Sequence, residues 1–306
     1  MSHREIVFVL TEDEEWKEEK RRFYQSQADL LTEAGLQARL IQVRDKAAVE
    51  GASLPVFVFD LGAHATIAPL LEEGAGDACL LAPLLWNPYV FWETPQRWIR
   101  AQHKVAALLV PGEAHEQNIR HYPHGQKLGT LNVAAHYAIE GKRDRQIDGR
   151  LPRIGYLSHR SATVKFVQGY VSRTDADFAG IDWVELNFSD LSGWQENLPT
   201  CDILLTLRPL SGSALPLLDA MAAGLLPFAD HGGGLTGIAS AENGVWVDSV
   251  TPEKIALQLI DLIRCYQNAD PALSGMRKQA MSTAEQASAR VTFSANYRAW
   301  NALASL

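Results

Sequence analysis

Cysteine is scarce in this chain: Cys79, Cys201 and Cys265 are the only three in 306 residues. They are far apart and odd in number, so they offer neither the paired spacing of a zinc site nor the density of a disulfide scaffold, and a reducing compartment suits them. Positive charge is also short. With 28 Lys and Arg against 36 Asp and Glu the formal net charge is -8, which excludes a nucleic-acid partner held through a basic face, because phosphate neutralisation supplies most of such affinity. Long hydrophobic runs are missing as well. "MSHREIVFVLTEDEEWKEEK" turns acidic after a short apolar run and reads as neither a signal peptide nor a membrane span. A cytoplasmic protein is the expectation. One segment, "RWIRAQHK", sets Trp98 and Ile99 among basic side chains, and reads equally as a peripheral contact with the inner membrane face or as a solvated helix. No internal repeat or low-complexity tract is visible.

What the chain does have is apolar material in short, regularly spaced blocks. Hydrophobic residues make up 47% and charged residues 21%, which leaves enough to bury two cores in a chain of this length. Apolar runs "IVFVL", "ARLIQV", "VFVFD", "ACLLA", "VAALLV" and a weaker "KLGTLNV" alternate with amphipathic stretches, the pattern of a parallel sheet covered by helices. Thr11 and Glu14 form a capping-box pattern for the first helix, and Gly35 suits its end. A second series follows with "RIGYLS", "WVELN", "DILLTL", "LLPFA" and "GVWVD". Between the two, "IEGKRDRQIDGR" loses periodicity and becomes charged. The expected organisation is a first α/β domain over 1–138, a linker over 139–150 and a second α/β domain over 151–290. A final helix over 291–306, with Tyr297, Trp300 and Leu303 at helical spacing, is expected to pack on a core, that of the first domain being the candidate. "TPEKIALQLIDLIRCY" is a helix with Thr251 as N-cap and Pro252 in its first turn.

Two such domains in tandem leave a cleft where the carboxyl ends of both sheets face each other, and ligands bind at those ends. The stretch "RPLSGSALPLLDAMAAG" follows a strand. Its small residues Gly212, Ser213 and Ala214 let backbone approach a ligand, Pro216 presets the first turn of a helix, and the Gly212 to Leu215 loop with the helix N-terminus offers N–H groups to an anion. Asp219 lies about one turn inside, where a carboxylate could reach ligand hydroxyls or simply complement the helix dipole. Three glycines, Gly232, Gly233 and Gly234, follow the next strand and suit close backbone approach.

These residues carry a resemblance. From Cys201 to Asp248 the chain is similar to the donor-binding half of GT-B glycosyltransferases of the retaining family-four type, with "LPLLDAMAAG" and "AENGVWVD" in register. The resemblance implies two Rossmann-like parallel-sheet domains facing a central cleft, a nucleotide-diphosphate sugar as substrate, no cofactor and no metal. No Asp-x-Asp pair is placed between strand and loop to hold one. It further implies that Asp219 holds the ribose hydroxyls and that Ser211 stands where the family has a glutamate at the donor sugar. Arg160 of "SHRSATVK", and Lys165 after it, are the cations for the diphosphate. His64 in "DLGAHATIAP" matches, locally poorly, a first-domain histidine that contacts the donor sugar in related enzymes. His159 is a further candidate at the nucleotide base. The first domain lacks the family's glycine-rich loop after its first strand, and "TEDEEWKEE" stands there instead.

The aromatic group Trp86, Tyr89, Phe91, Trp92 and Trp98 suits acceptor stacking or plain packing. The leading expectation is a glycosyltransferase acting on a glycan, lipid-linked or protein acceptor, with retention, as a homo-oligomer or beside a partner protein. Two alternatives stay open. Ser211 in place of glutamate also fits a non-catalytic partner subunit, and a sugar-nucleotide epimerase would call on Glu93 or Asp60 as cleft acids.

Overall fold

The computed structural model describes residues 5–11, 17–43, 56–58, 80–83, 105–110, 127–130, 147–157, 161–188, 190–207, 215–230, 238–247, 251–288 and, near the end, 297, 298, 300, 301 and 304. The chain divides into two compact units, one made of Met1–His136 with Ala289–Leu306 and the other of Tyr137–Ser288.

The first unit is built on a six-stranded sheet of order β2-β1-β3-β4-β5-β6. Its strands are β1 (Ile6–Thr11), β2 (Ala38–Val43), β3 (Val56–Val58), β4 (Leu80–Pro83), β5 (Val105–Val110) and β6 (Lys127–Thr130). Every pairing is parallel. Ile6 to Leu10 are all buried, as befits a strand covered on both faces, and this is why the run is continuously apolar instead of alternating. Helix α1 (Lys17–Glu33) turns Phe23, Tyr24, Gln27, Ala28 and Leu31 inward, a stripe at helical spacing. It closes in a Schellman turn. Gly35 takes φ +84, its N–H bonds Thr32 O at 3.0 Å, and the Leu36 N–H bonds Leu31 O at 2.9 Å, satisfying carbonyls that the helix end leaves open. Thr11 pairs with Val43 as the last residue of β1. Glu14 lies outside the described residues.

Trp300, fully buried, completes this unit. Its ring meets Phe8 edge-on, with centroids 5.4 Å apart and planes at 70°, and its Nε1 donates to Gln27 Oε1 at 3.2 Å.

The second unit carries a five-stranded sheet of order β11-β10-β9-β7-β8, all parallel. Its strands are β7 (Ile154–Leu157), β8 (Trp183–Leu186), β9 (Ile203–Thr206), β10 (Leu226–Asp230) and β11 (Val245–Val247). Its helices are α2 (Ser161–Thr174), α3 (Leu191–Asn197), α4 (Leu215–Ala222), α5 (Pro252–Gln267) and α6 (Pro271–Gln286). Right-handed crossovers carry α2 and α4 to opposite faces, because the chain steps outward from the centre in opposite directions after β7 and after β9. On one face, α2 packs with α5, and Val164, Val167, Val171, Leu259 and Ile263 join Ile154, Ile203, Leu205 and Phe228 in one core. On the other, α4 packs with α6.

The amino edge of this sheet is held by charge. Asp202, fully buried at the mouth of β9, accepts from Arg150 Nη2 at 3.0 Å and from the Arg153 backbone N–H at 2.8 Å, with Arg150 Nη1 at 2.9 Å from its second oxygen. The end of the charged segment 139–150 is thereby bound to the sheet. Tyr266 stands beside the pair, its phenol pushed above the ordinary 10.0 by burial first and by Asp202 second. Among the described residues no helix is long and apolar enough to cross a membrane.

Candidate functional site

In the second sheet the direction of winding reverses between β7 and β9. At such a switch point the loops leaving two adjacent strands diverge to opposite faces and open a crevice beyond the carboxyl edge, where ligands of open α/β sheets bind. Here β7 leads through residues 158–160 to the start of α2, and β9 leads through 208–214 to the start of α4. The first-turn N–H groups of a helix lack intrahelical partners, so two helix starts at one crevice favour an anion between them.

Helix α4 is buried from Leu215 through Met221. A carboxylate in such a helix needs hydrogen-bond donors, since burying an unpartnered charge is costly. Asp219, only 2% exposed, receives one from α3: Trp194 Nε1 donates to its Oδ2 at 3.0 Å. This places Asp219 in the interior of the helix layer, a different position from that of an acid lying on an exposed first turn to balance the dipole. Trp194 is itself fully buried, and Phe188 meets it edge-on with centroids 4.7 Å apart and planes at 88°. Helix α3 is fixed in turn by Asp190, whose Oδ1 accepts from the Gly193 N–H at 3.1 Å and from Ser192 Oγ at 3.0 Å. These bonds hold the Asp190 carboxyl below its ordinary 3.8, the Gly193 N–H being the larger cause. Beyond Asp219, α4 ends in a second Schellman turn. Gly224 has φ +79, with Gly224 N–H to Met221 O at 3.0 Å and Leu225 N–H to Ala220 O at 2.9 Å.

The sequence candidates distribute as follows. Leu215 opens α4 and is buried, Asp219 sits one turn on, and Lys165 is exposed on α2. His64, His159, Arg160, Ser211, Gly212, Ser213, Ala214, Gly232, Gly233 and Gly234 lie outside the described residues, as do Asp60, Glu93 and the aromatic group from Trp86 to Trp98. Close to the same edge, Tyr156 of β7 donates from its hydroxyl to Glu185 Oε2 at 3.3 Å. Burial first, and then the Glu185 charge, push that phenol above the ordinary 10.0, so it remains a donor at neutral pH. Trp194 is the residue the sequence reading missed. The signal available was a single aromatic side chain in the short helix "LSGWQEN".

The "AENG" part of the motif has a structural role. Asn243 is buried, and its amide donates to Ile238 O at 2.7 Å and Thr283 Oγ1 at 3.0 Å. Its Oδ1 accepts from the Ser240 N–H at 2.9 Å and Trp246 Nε1 at 3.2 Å. Glu242 beside it is exposed. Among the described residues no group of three His, Cys, Asp or Glu side chains is placed to hold a metal ion.

No protein-family model and no curated protein matches this chain. Solved structures do. The sucrose-phosphate synthase of Thermosynechococcus elongatus superposes with a TM-score of 0.67 at 11% identity, over 99% of this chain and 100% of that one. HepE of Anabaena, in complex with UDP and glucose, gives 0.64 at 11% identity over the same shares. The pneumococcal O-GlcNAc transferase GtfA, in complex with UDP and GlcNAc, gives 0.61 at 15% identity over 84% of this chain. This chain spans 58% of GtfA and 55% of TarM, another structure with the same likeness. At these identities the likeness is one of fold, and the fold is that of GT-B glycosyltransferases.

Proposed function

We propose that this chain is a glycosyltransferase that moves a sugar from a nucleoside-diphosphate donor to a glycan, lipid-linked or protein acceptor, with retention at the anomeric carbon. The observation that carries the reading is the buried carboxylate of Asp219, one turn into the helix that leaves the switch-point strand β9. This fold is shared with proteins whose structures hold UDP with a sugar.

In this reading Asp219 accepts hydrogen bonds from the ribose hydroxyls. Arg160, with Lys165 second, faces the diphosphate. The Gly212–Leu215 and Gly232–Gly234 segments give backbone N–H groups, and Ser211 and His64 stand at the transferred sugar. The bond between the anomeric carbon and the diphosphate oxygen breaks as the acceptor oxygen bonds to the same face, and the acceptor proton passes to the departing phosphate. Such a step needs positioning and stabilisation of the leaving diphosphate more than a protein nucleophile, and cations with preorganised N–H groups supply that stabilisation. A neutral hydroxyl at Ser211 is compatible with it.

The test is calorimetric or thermal-shift titration of the purified protein with UDP, GDP, ADP, CDP, CMP and dTDP, beside Asp219→Asn. Binding of one nucleotide, lost or strongly weakened in the variant, supports the donor site and names the base. If none binds at millimolar concentration, the transferase reading fails and a non-catalytic partner subunit takes its place.

A further inference from the structure

Helices of a parallel α/β unit run opposite to the strands, so α3 and α4 both begin at the carboxyl edge of the sheet. Trp194 lies about one turn into α3 and Asp219 about one turn into α4, which sets an indole N–H and a carboxylate face to face just below the crevice, 3.0 Å apart. We propose that Trp194 is the positioning residue for the ribose end of the donor: it fixes the Asp219 carboxylate in one orientation and so sets the selectivity for ribose hydroxyls. The inference rests on the donor-site reading of Asp219 and extends it to a residue that touches no ligand.

Three properties of the pair carry the argument. The indole N–H is a donor only; it can bond the ionised carboxylate, but it cannot compete for the hydroxyl protons that the carboxylate would accept from a ribose. A Ser or Tyr in its place could rotate and do so. Next, the ring is immobile. Trp194 is fully buried and Phe188 stands edge-on against it, so the N–H is already aimed before any ligand arrives, and preorganised donors avoid the ordering cost at the moment of binding. Finally, an Asp side chain carries its carboxylate only one methylene from the helix backbone. A short side chain inside an apolar helix layer reaches a hydroxyl only if its carboxylate plane is held at the right angle, and a charge-assisted bond from α3 helps to hold it there.

A bond that merely tied α3 to α4 would affect stability without altering which nucleotide binds. The experiment therefore reads ribose preference. The Kd values of UDP, GDP, ADP and CDP, and of the 2′,3′-dideoxy form of each, are measured for wild type, Trp194→Phe and Asp219→Asn. In wild type the ribose form of the bound nucleotide binds more tightly than its dideoxy form. In Trp194→Phe that preference falls by roughly tenfold, the scale of one charge-assisted hydrogen bond, while the dideoxy Kd stays within about twofold. Asp219→Asn loses the preference as well.

If Trp194→Phe does not fold, β-(3-benzothienyl)-alanine at position 194 keeps the ring shape and removes only the N–H, and the same loss of preference is expected. Retention of the preference without that N–H, while Asp219→Asn loses it, overturns the role of Trp194 and leaves the donor site standing. A wild type that binds a nucleotide without ribose preference overturns the assignment of both residues. A wild type that binds none of the four, and neither CMP nor dTDP, overturns the donor-site reading itself.

Discussion

At the scale of single residues, Asn243 shows how one side chain can organise a turn. Both its amide hydrogens and its carbonyl oxygen are engaged, with Ile238, Thr283, Ser240 and Trp246 as partners. Asn243→Ala removes the bonds to the Ser240 N–H and Ile238 O, while Trp246 Nε1 keeps Ser240 O at 2.7 Å and Thr283 Oγ1 keeps Gln279 O at 2.9 Å, and it is expected to cost about 2–4 kcal/mol, read by urea denaturation. Asn243→Asp keeps the oxygen but loses the donor to Ile238 O, so it is expected to destabilise as well. Asp190 gives a pH-dependent counterpart. Its folded pKa lies below the ordinary 3.8, so its stabilising contribution is present above that value and is lost as pH falls through the lower folded one. The stability of Asp190→Asn, whose amide oxygen caps without titrating, is expected to decline less steeply than wild type below about pH 4. Residue roles were the least legible part of the sequence. The placement of Asp219 one turn into a helix could be read from "LPLLDAMAAG", but its partner, in the separate helix "LSGWQEN", could not. Sequence spacing constrains neighbours within an element and says nothing of contacts between helices brought together by a sheet.

At the scale of elements, three helices end alike. Gly35 after α1 and Gly224 after α4 take the left-handed conformation, and Ala269 does the same after α5, with φ 49. There the Ala269 N–H bonds Tyr266 O at 3.1 Å and the Asp270 N–H bonds Cys265 O at 3.0 Å. An L side chain in this region carries a steric penalty of roughly 1 kcal/mol that glycine does not. Ala269→Gly is therefore expected to stabilise the protein by up to about 1 kcal/mol after the loss of unfolded-state rigidity is set against the gain. Gly224→Ala runs the other way, by about 1–2 kcal/mol, and both are read as shifts in thermal midpoint. Strands β1, β9 and β10 were legible because each is a short apolar run buried along its length, and the α5 start was legible because Thr251 and Pro252 carry their cap chemistry locally: Thr251 Oγ1 accepts from the Lys254 N–H at 3.4 Å. The Ala269 turn was not, since alanine does not advertise a positive φ.

At the scale of the whole molecule, the first unit is assembled from two separated stretches of chain, Met1–His136 and Ala289–Leu306. Trp300 is the largest side chain that the second stretch places in the core among the described residues. Trp300→Ala removes a fully buried ring and its bond to Gln27, and an expected loss of about 3–5 kcal/mol falls on the first unit. Hydrogen exchange resolves it: protection is expected to drop in β1 and α1 and to persist in β7 and β9, whose core draws on the second unit alone. The fold class was legible from the alternation of apolar runs and helices. Where Trp300 would pack was open, because helical spacing shows which face is apolar and leaves its destination unspecified.

That split assembly also imposes an order in time. On the ribosome the complete second unit leaves the exit tunnel before the segment bearing Trp300, which at ~5–20 residues per second takes on the order of ten seconds. Throughout that interval the first unit, with all six of its strands already made, has Phe8 and Gln27 without the Trp300 indole, a window in which a chaperone would find apolar surface on the nascent chain.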